Sequence, residues 1–247
     1  MRVAAIYDIH ANLPALEAAL REIRQAKVDL VVVGGDVLPG PMPRETIACL
    51  QGFDIPVQFI QGNGDREVLG LLRGVEPGVP EPFREVMRWN AQQLLPEHEQ
   101  LLAGWPATLR VQVSGLGEVL FCHATPRNDT EIFTRLTAED RLLPVFAGVN
   151  QPVVVCGHTH MQFDRTIGKT RVLNAGSVGM PFGEPGAYWL LLGPEVQLRH
   201  TAYDLAKAAE RIRATKYPQA QEFAAGNVLQ APREREMLEV FGRVEVK

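Results

Sequence analysis

Cysteine is scarce in this sequence: Cys49, Cys122 and Cys156 are the whole complement. Three is an odd number, and each sits in or beside an apolar segment. That argues against a disulfide framework and against a thiolate metal cluster. The three read as small buried hydrophobes kept reduced, which points to a cytoplasmic location. A basic surplus is missing too, since 25 Lys and Arg face 29 Asp and Glu for a net charge of −4. No basic field is available for a nucleic-acid polymer. A single nucleotide needs only a local positive site and stays open. No apolar stretch reaches the roughly 18 residues of a membrane span. Met1 runs straight into a strand pattern, without the charged, apolar and small-residue order of a signal peptide, so no membrane partner is expected. Histidine is the last shortage. The chain has six, and His10, His123, His158 and His160 all stand at the ends of apolar runs beside Gly or Asp.

Those apolar runs set the architecture. Residues 2–7, 29–33 and 57–60 read as buried strands. Helical patterns separate them, the first starting behind Asn12 with Pro14 in its first turn. A β-α-β-α-β order implies a largely parallel sheet, with ligands outside the carboxyl ends of its strands. Asp8, His10, Asp36, Asn63 and Asp65 fall at those ends. Residues 66–99 turn helical around a Pro-rich loop at 75–82, with Trp89 and Trp105 as core residues. A hairpin is predicted across 108–122, a polar loop at 124–134, a short helix at 138–146 and a strand at 153–156. The strands at 162–167, 171–174, 187–192 and 196–201 come as successive hairpins, which suggests a second sheet packed on the first. A helix is expected at 202–214. His98 and His200 lie outside these strand ends and read as surface or packing residues. About 250 residues still fit one sizeable core.

Neutral imidazole with carboxylate is the ligand set of Zn, Mn and Fe. In an extended segment Asp8 and His10 share one side, as do His158 and His160, so each pair can serve one ion. Gly34, Gly35, Gly62, Gly64 and Gly157 leave room for the backbone to turn beside a ligand.

Five elements occur in order: Asp8-Ile9-His10, Gly35-Asp36, Gly62-Asn63-Gly64-Asp65, His123 and Gly157-His158-Thr159-His160. In type and order they resemble the calcineurin-like metallophosphoesterases, and residues 174–179 look like a further loop of that family. The resemblance implies an α/β fold of two packed mixed β-sheets, a β-sandwich flanked by helices. The order of elements along the chain gives a domain over 1–215, with a helical insert at 66–106 beside the active site and a C-terminal helical tail at 216–247. The resemblance implies two divalent ions. Asp8, His10, Asp36 and His160 would hold one, and Asp36, Asn63, His123 and His158 the other, with Asp36 shared. Asp36, Asn63 and His123 would be the catalytic set, and Asp65 would orient a histidine or Asn63 from behind. Mn is the leading expectation, and Fe and Zn suit the same ligands. A hydroxide bridging the ions would attack the phosphorus in line.

One position departs from the family's phosphatase members. Gly64 stands where they carry a histidine that assists the leaving group. That disfavours alkoxide leaving groups and favours phenol-like, anhydride or strained cyclic ones. The expected function is hydrolysis of small phosphodiesters or nucleotides, such as 2′,3′-cyclic nucleotides. Alternatives are a dinucleoside polyphosphate hydrolase, a Ser/Thr-type protein phosphatase, or a metal-binding scaffold on an inactive fold. Arg66, Arg127 and Asn128 follow ligand segments and are candidates for substrate phosphate. A homo-oligomer is left open.

Overall fold

The computed structural model describes residues 1–246. Two five-stranded mixed sheets pack face to face. The first holds β1 (Val3–Ile6), β2 (Leu30–Val33) and β3 (Val57–Phe59) in parallel, joined through α1 (Leu13–Gln25) and α2 (Pro43–Gln51). The second contains β4 (Thr108–Val113), β5 (Gly117–Cys122), β6 (Val153–Cys156), β7 (Phe163–Ile167) and β8 (Thr170–Asn174) in the order β4-β5-β6-β8-β7. Between β3 and β4 lie α3 (Asn63–Leu72), α4 (Glu81–Gln93) and α5 (Pro96–Ala103). The helix α6 (Glu139–Phe146) joins β5 to β6.

The late hairpins do not build the second sheet by themselves. β7 and β8 join it, whereas β9 (Ala187–Leu192) and β10 (Val196–Thr201) return to the first sheet, β9 antiparallel to β1. β9 is apolar on both of its faces. Leu190 and Leu192 enter the core between the sheets, and Trp189 and Leu191 enter the core under the helices. A strand apolar on both faces belongs in the middle of a covered sheet.

The same alternation runs through β1 and β2. Val3, Ala5, Leu30 and Val32 face the inter-sheet core, and Ala4, Ile6, Val31 and Val33 face the helices. Both faces are covered, so the sequence reads as continuous apolar runs. Asn12 caps α1 by accepting from Ala15 N at 3.3 Å, and Leu13, Leu16, Leu20 and Ile23 bury its inner face. Trp105 is buried and stacks on Phe59, the planes 3° apart.

After β10 the chain forms α7 (Leu205–Arg213), α8 (Ala220–Phe223), a π-helical stretch over Ala224–Leu229 and α9 (Glu234–Phe241). Tyr217, Phe223 and Val228 bury against α7 and against Val86 of α4. No helix among the described residues is long and apolar enough to cross a membrane. The carboxyl ends of β1, β2, β5 and β6 meet at one edge of the sandwich, where the functional side chains gather.

Candidate metal centre

The loops after β1 and β2 stay paired beyond their strands, with Asp8 N–H donating to Gly35 O at 3.1 Å and His10 N–H to Asp36 O at 2.9 Å. Gly157 N–H donates to His123 O at 2.8 Å, which ties the ends of β5 and β6 together in the same way. Asp8, His10, Asp36, His158 and His160 all take positive φ, between 47° and 65°. Such backbone is rare for residues with a Cβ and costs on the order of 1–3 kcal/mol each. It persists because the hydrogen bonds around it leave no alternative. Gly35 supplies the matching turn at φ 90°, and a Cβ there would meet Gly62 N at 2.6 Å.

These turns bring two groups together: Asp8 with His10 and His160, and Asp36 with His123 and His158. In the first, His160 Nε2 lies 3.4 Å from Asp8 Oδ1 and 3.2 Å from His10 Nε2. In the second, His123 Nε2 lies 3.5 Å from Asp36 Oδ2. Asp36 Oδ2 also stands 3.9 Å from His10 Nε2, so one carboxylate oxygen faces both groups. The other oxygen, Oδ1, is occupied, accepting from Gly64 N–H at 2.7 Å.

Backbone carbonyls fix the rings. His123 Nδ1 lies 2.9 Å from Gly34 O, His160 Nδ1 2.7 Å from Met180 O and His10 Nδ1 3.3 Å from Pro39 O. Each Nδ1 donates there, which leaves Nε2 as the atom aimed inward. The loop over 174–179 supports Asp8 from behind. Ser177 Oγ donates to Asp8 O at 2.7 Å, and Asn174 Nδ2 to Gly157 O at 2.7 Å. Asp65 takes Leu38 N–H on Oδ1 at 3.0 Å and Gly62 N–H on Oδ2 at 3.1 Å, so it braces the loops that carry Asp36 and Asn63.

Three observations fit this donor set to cations. Asp8 Oδ1 is fully buried with no hydrogen-bond partner, although its twin Oδ2 accepts from His158 N–H at 2.9 Å. One end of the Asn63 amide lies 3.0 Å from both His123 Nε2 and His158 Nδ1. Turned with its oxygen inward, the amide would offer a cation a third donor beside the two ring nitrogens. The donors are imidazole, carboxylate and amide oxygen, the set that suits Mn, Fe and Zn.

Charge within the cluster is finely divided. Burial works against the Asp36 carboxylate, but His123, His10 and His158 outweigh it and hold the group well below the usual range. Burial likewise opposes Asp8, and His160 and His123 pull it down. His123 is pushed up to about 10, because Asp36 and Asp8 overcome the cost of burying its charge. His160 is raised against burial by Asp8. Burial, then the charge of His123, pushes His158 down to about 4, and burial with His160 lowers His10. Asp65 goes the other way from its fellow acids, up to about 8, from burial and the nearby Asp36. A proton on His123 thus balances the carboxylates where a cation would otherwise do so, and Asp8 favours one on His160.

A family model described as the calcineurin-like phosphoesterase superfamily domain matches residues 1–193. The chain belongs to that superfamily. An uncharacterized protein of Methanocaldococcus jannaschii, MJ0912, is 25% identical to this phosphoesterase over 241 residues, covering 88% of this chain and 94% of that protein. A metallophosphoesterase from Sphaerobacter thermophilus superposes with a TM-score of 0.69 at 25% identity, over 92% of this chain and 99% of that one. The hypothetical protein PH1004 from Pyrococcus horikoshii OT3 shares the fold, with a TM-score of 0.79 at 21% identity over 90% of this chain and 97% of that chain.

In this phosphoesterase the three candidates for substrate phosphate each have a protein partner. Arg66 Nε donates to Asp129 at 2.6 Å and Arg66 Nη1 to Glu67 at 2.8 Å. Arg127 pairs with Glu131, and Asn128 Oδ1 accepts from Thr130 and Glu131 backbone N–H groups. The loop they share still borders the cluster, since Asp129 O lies 3.2 Å from the Asn63 amide. At Gly64, an added Cβ would meet Leu38 O at 2.3 Å. A histidine has no room on this backbone. Sequence reasoning passed over the carbonyls of Gly34, Pro39 and Met180, which orient three imidazoles. Any residue type supplies a carbonyl, so no signal could have marked them. It also passed over Phe182, whose ring stacks on His160.

Proposed function

We propose that this phosphoesterase hydrolyses small phosphodiesters or nucleotides, 2′,3′-cyclic nucleotides among them. In this reading Asp8, His10, Asp36 and His160 hold one divalent ion, and Asp36, Asn63, His123 and His158 hold the other. The observation that carries it is the position of Asp36 Oδ2, 3.5 Å from His123 Nε2 and 3.9 Å from His10 Nε2. When bound, the ion pair supplies an activated water and positive charge for the phosphate oxygens. Mn is our first choice, with Fe and Zn as alternatives, and we assign the protein to the cytoplasm.

The chain's own residues set the rest. Asp36 joins the two halves, and the Gly64 N–H on its Oδ1 keeps Oδ2 aimed inward. His123, fixed by Gly34 O, and Asn63, at the start of α3, form the wall on which an ester oxygen would rest. Arg66, Arg127 and Asn128 serve the substrate's outer oxygens, with Arg66 and Arg127 sharing their forks with Asp129 and Glu131. With Gly64 in place of a histidine, no proton donor serves a poor leaving group. That favours aryl, anhydride and strained cyclic leaving groups over simple alkoxides.

The test is turnover by protein loaded with Mn, Fe or Zn on bis-p-nitrophenyl phosphate, p-nitrophenyl phosphate, 2′,3′-cyclic nucleotides, diadenosine tetraphosphate and a phosphopeptide. Diester and cyclic nucleotide turnover should dominate. Cleavage of the phosphopeptide alone would overturn the reading.

A further inference from the structure

Phe182 and Phe241 stand apart from every apolar core of the molecule. Both are half-buried, and neither belongs to the clusters between or outside the sheets. Phe182 lies over His160, with centroids 5.2 Å apart and planes 27° apart. Phe241, at the end of α9, comes within 5.9 Å of Phe182. A ladder of three rings therefore runs outward from the cluster of Asp8, His10 and His160.

The helix that carries Phe241 buries none of its own residues. The segment around it is nevertheless anchored at both ends. Gly183 N–H donates to Pro232 O at 2.8 Å, and Glu234 pairs with Arg135. Further on, Glu245 receives Arg141 at 2.8 Å and Thr137 Oγ1 at 2.5 Å, and Val246 N–H donates to Ile132 O at 2.9 Å. These contacts hold α9 without burying it. Their consequence is the placement of an aromatic ring at the rim of the site.

We infer that Phe182 and Phe241 form an aromatic subsite beside His160 that takes the planar base of a nucleotide substrate. The inference rests on the proposed function and narrows it from small phosphoesters to base-bearing ones. A partly exposed phenyl ring beside His160 offers a π-face that any base can stack on, whatever its edge pattern. Adenine, guanine and pyrimidines are all served, and selectivity is for having a base at all. The charge at the cluster reads the phosphate; the two rings read what is attached to it.

The test compares adenosine 5′-monophosphate with ribose 5-phosphate, which carries a hydroxyl in place of the base, by calorimetric titration of Mn-loaded protein. The base should tighten binding by about tenfold. Phe241→Leu should reduce that advantage to about twofold, and Phe241→Tyr should keep it. Metal content measured on each variant shows that the cluster is intact. Equal affinity for the two ligands in the wild type overturns the inference, and so does an advantage that survives Phe241→Leu. Because the readout is binding, it stands apart from the proposed function: a wild type that hydrolyses no phosphoester but still prefers the base refutes the activity and keeps the subsite.

Discussion

The Nε2 atoms of His10 and His160 face each other across 3.2 Å, while the Nδ1 of each ring lies against a backbone carbonyl. With both Nδ1 atoms donating, two lone pairs point at one space. A proton on one ring or a cation between them must satisfy both. A cation binds the folded chain and not the unfolded one, so it stabilises by mass action. At a free metal concentration 100 times Kd, one site adds about 2.7 kcal/mol. That corresponds to about 5–10 °C in Tm for a chain of this size. Calorimetric scans in Mn and in chelator should show it, and a Tm indifferent to metal removes the case for a metal centre.

Asp36 Oδ2 faces both halves of the cluster, so Asp36→Asn is the most direct test of the proposed pair. The amide keeps the shape, and its oxygen can still accept from Gly64 N–H, but the bridging charge is gone. Loss of that stabilisation is worth several kcal/mol in the transition state. Turnover of bis-p-nitrophenyl phosphate should fall by about a thousandfold. His123→Ala should fall similarly. Wild-type rates in either variant would mean that the residues are misassigned.

Gly64 looks like a position to repair, since a histidine there would supply the missing proton donor. The backbone says otherwise, because any Cβ meets Leu38 O at 2.3 Å. Gly64→Ala should cost about 1–3 kcal/mol from overpacking. It should also loosen the Gly64 N–H bond to Asp36 and lower diesterase turnover. Gly64→His should gain no alkyl monoesterase activity. A Gly64→His variant with normal Tm and new monoester turnover would refute the steric account.

Much of this was legible in the chain because the candidate ligands follow strands. β1 ends just before Asp8, β2 just before Gly34-Gly35-Asp36, β5 at Cys122 beside His123 and β6 at Cys156 beside Gly157. An apolar run stopping at a polar pair is a local signal, and local signals survive in one sequence. Strand partnership is not local. The pattern of β9 suits either sheet, and only its packing beside β1 decides. Helix α3 begins at Asn63, earlier than its apolar spacing implied. Two glycines hide its first turn, and Asp65 closes the cap onto Gly62 N–H. The Phe182–Phe241 contact joins residues far apart in the chain, and neither has a periodic neighbour to announce it.

The protons on the cluster make the metal-free protein sensitive to alkali. His123 rises from 6.5 to about 10 on folding. Its contribution is therefore complete below pH 6.5 and lost as pH climbs through 10. Asp65 rises from 3.8 to about 8, so its contribution is complete below pH 3.8 and lost as pH climbs through 8. His160 is also raised and acts in the same direction. The lowered groups act elsewhere. His158, at about 4, and His10 favour the fold as pH rises toward 6.5, and Asp8 and Asp36 matter only below pH 3.8. Above pH 6.5 every remaining slope has one sign, and chelated protein should lose Tm steadily from pH 6.5 to 9.5. Metal must displace the proton on His123, so its apparent affinity should strengthen over the same range. The Tm gap between Mn-loaded and chelated protein should widen with pH. A gap that narrows would mean that the proton on His123 does not occupy a metal's place.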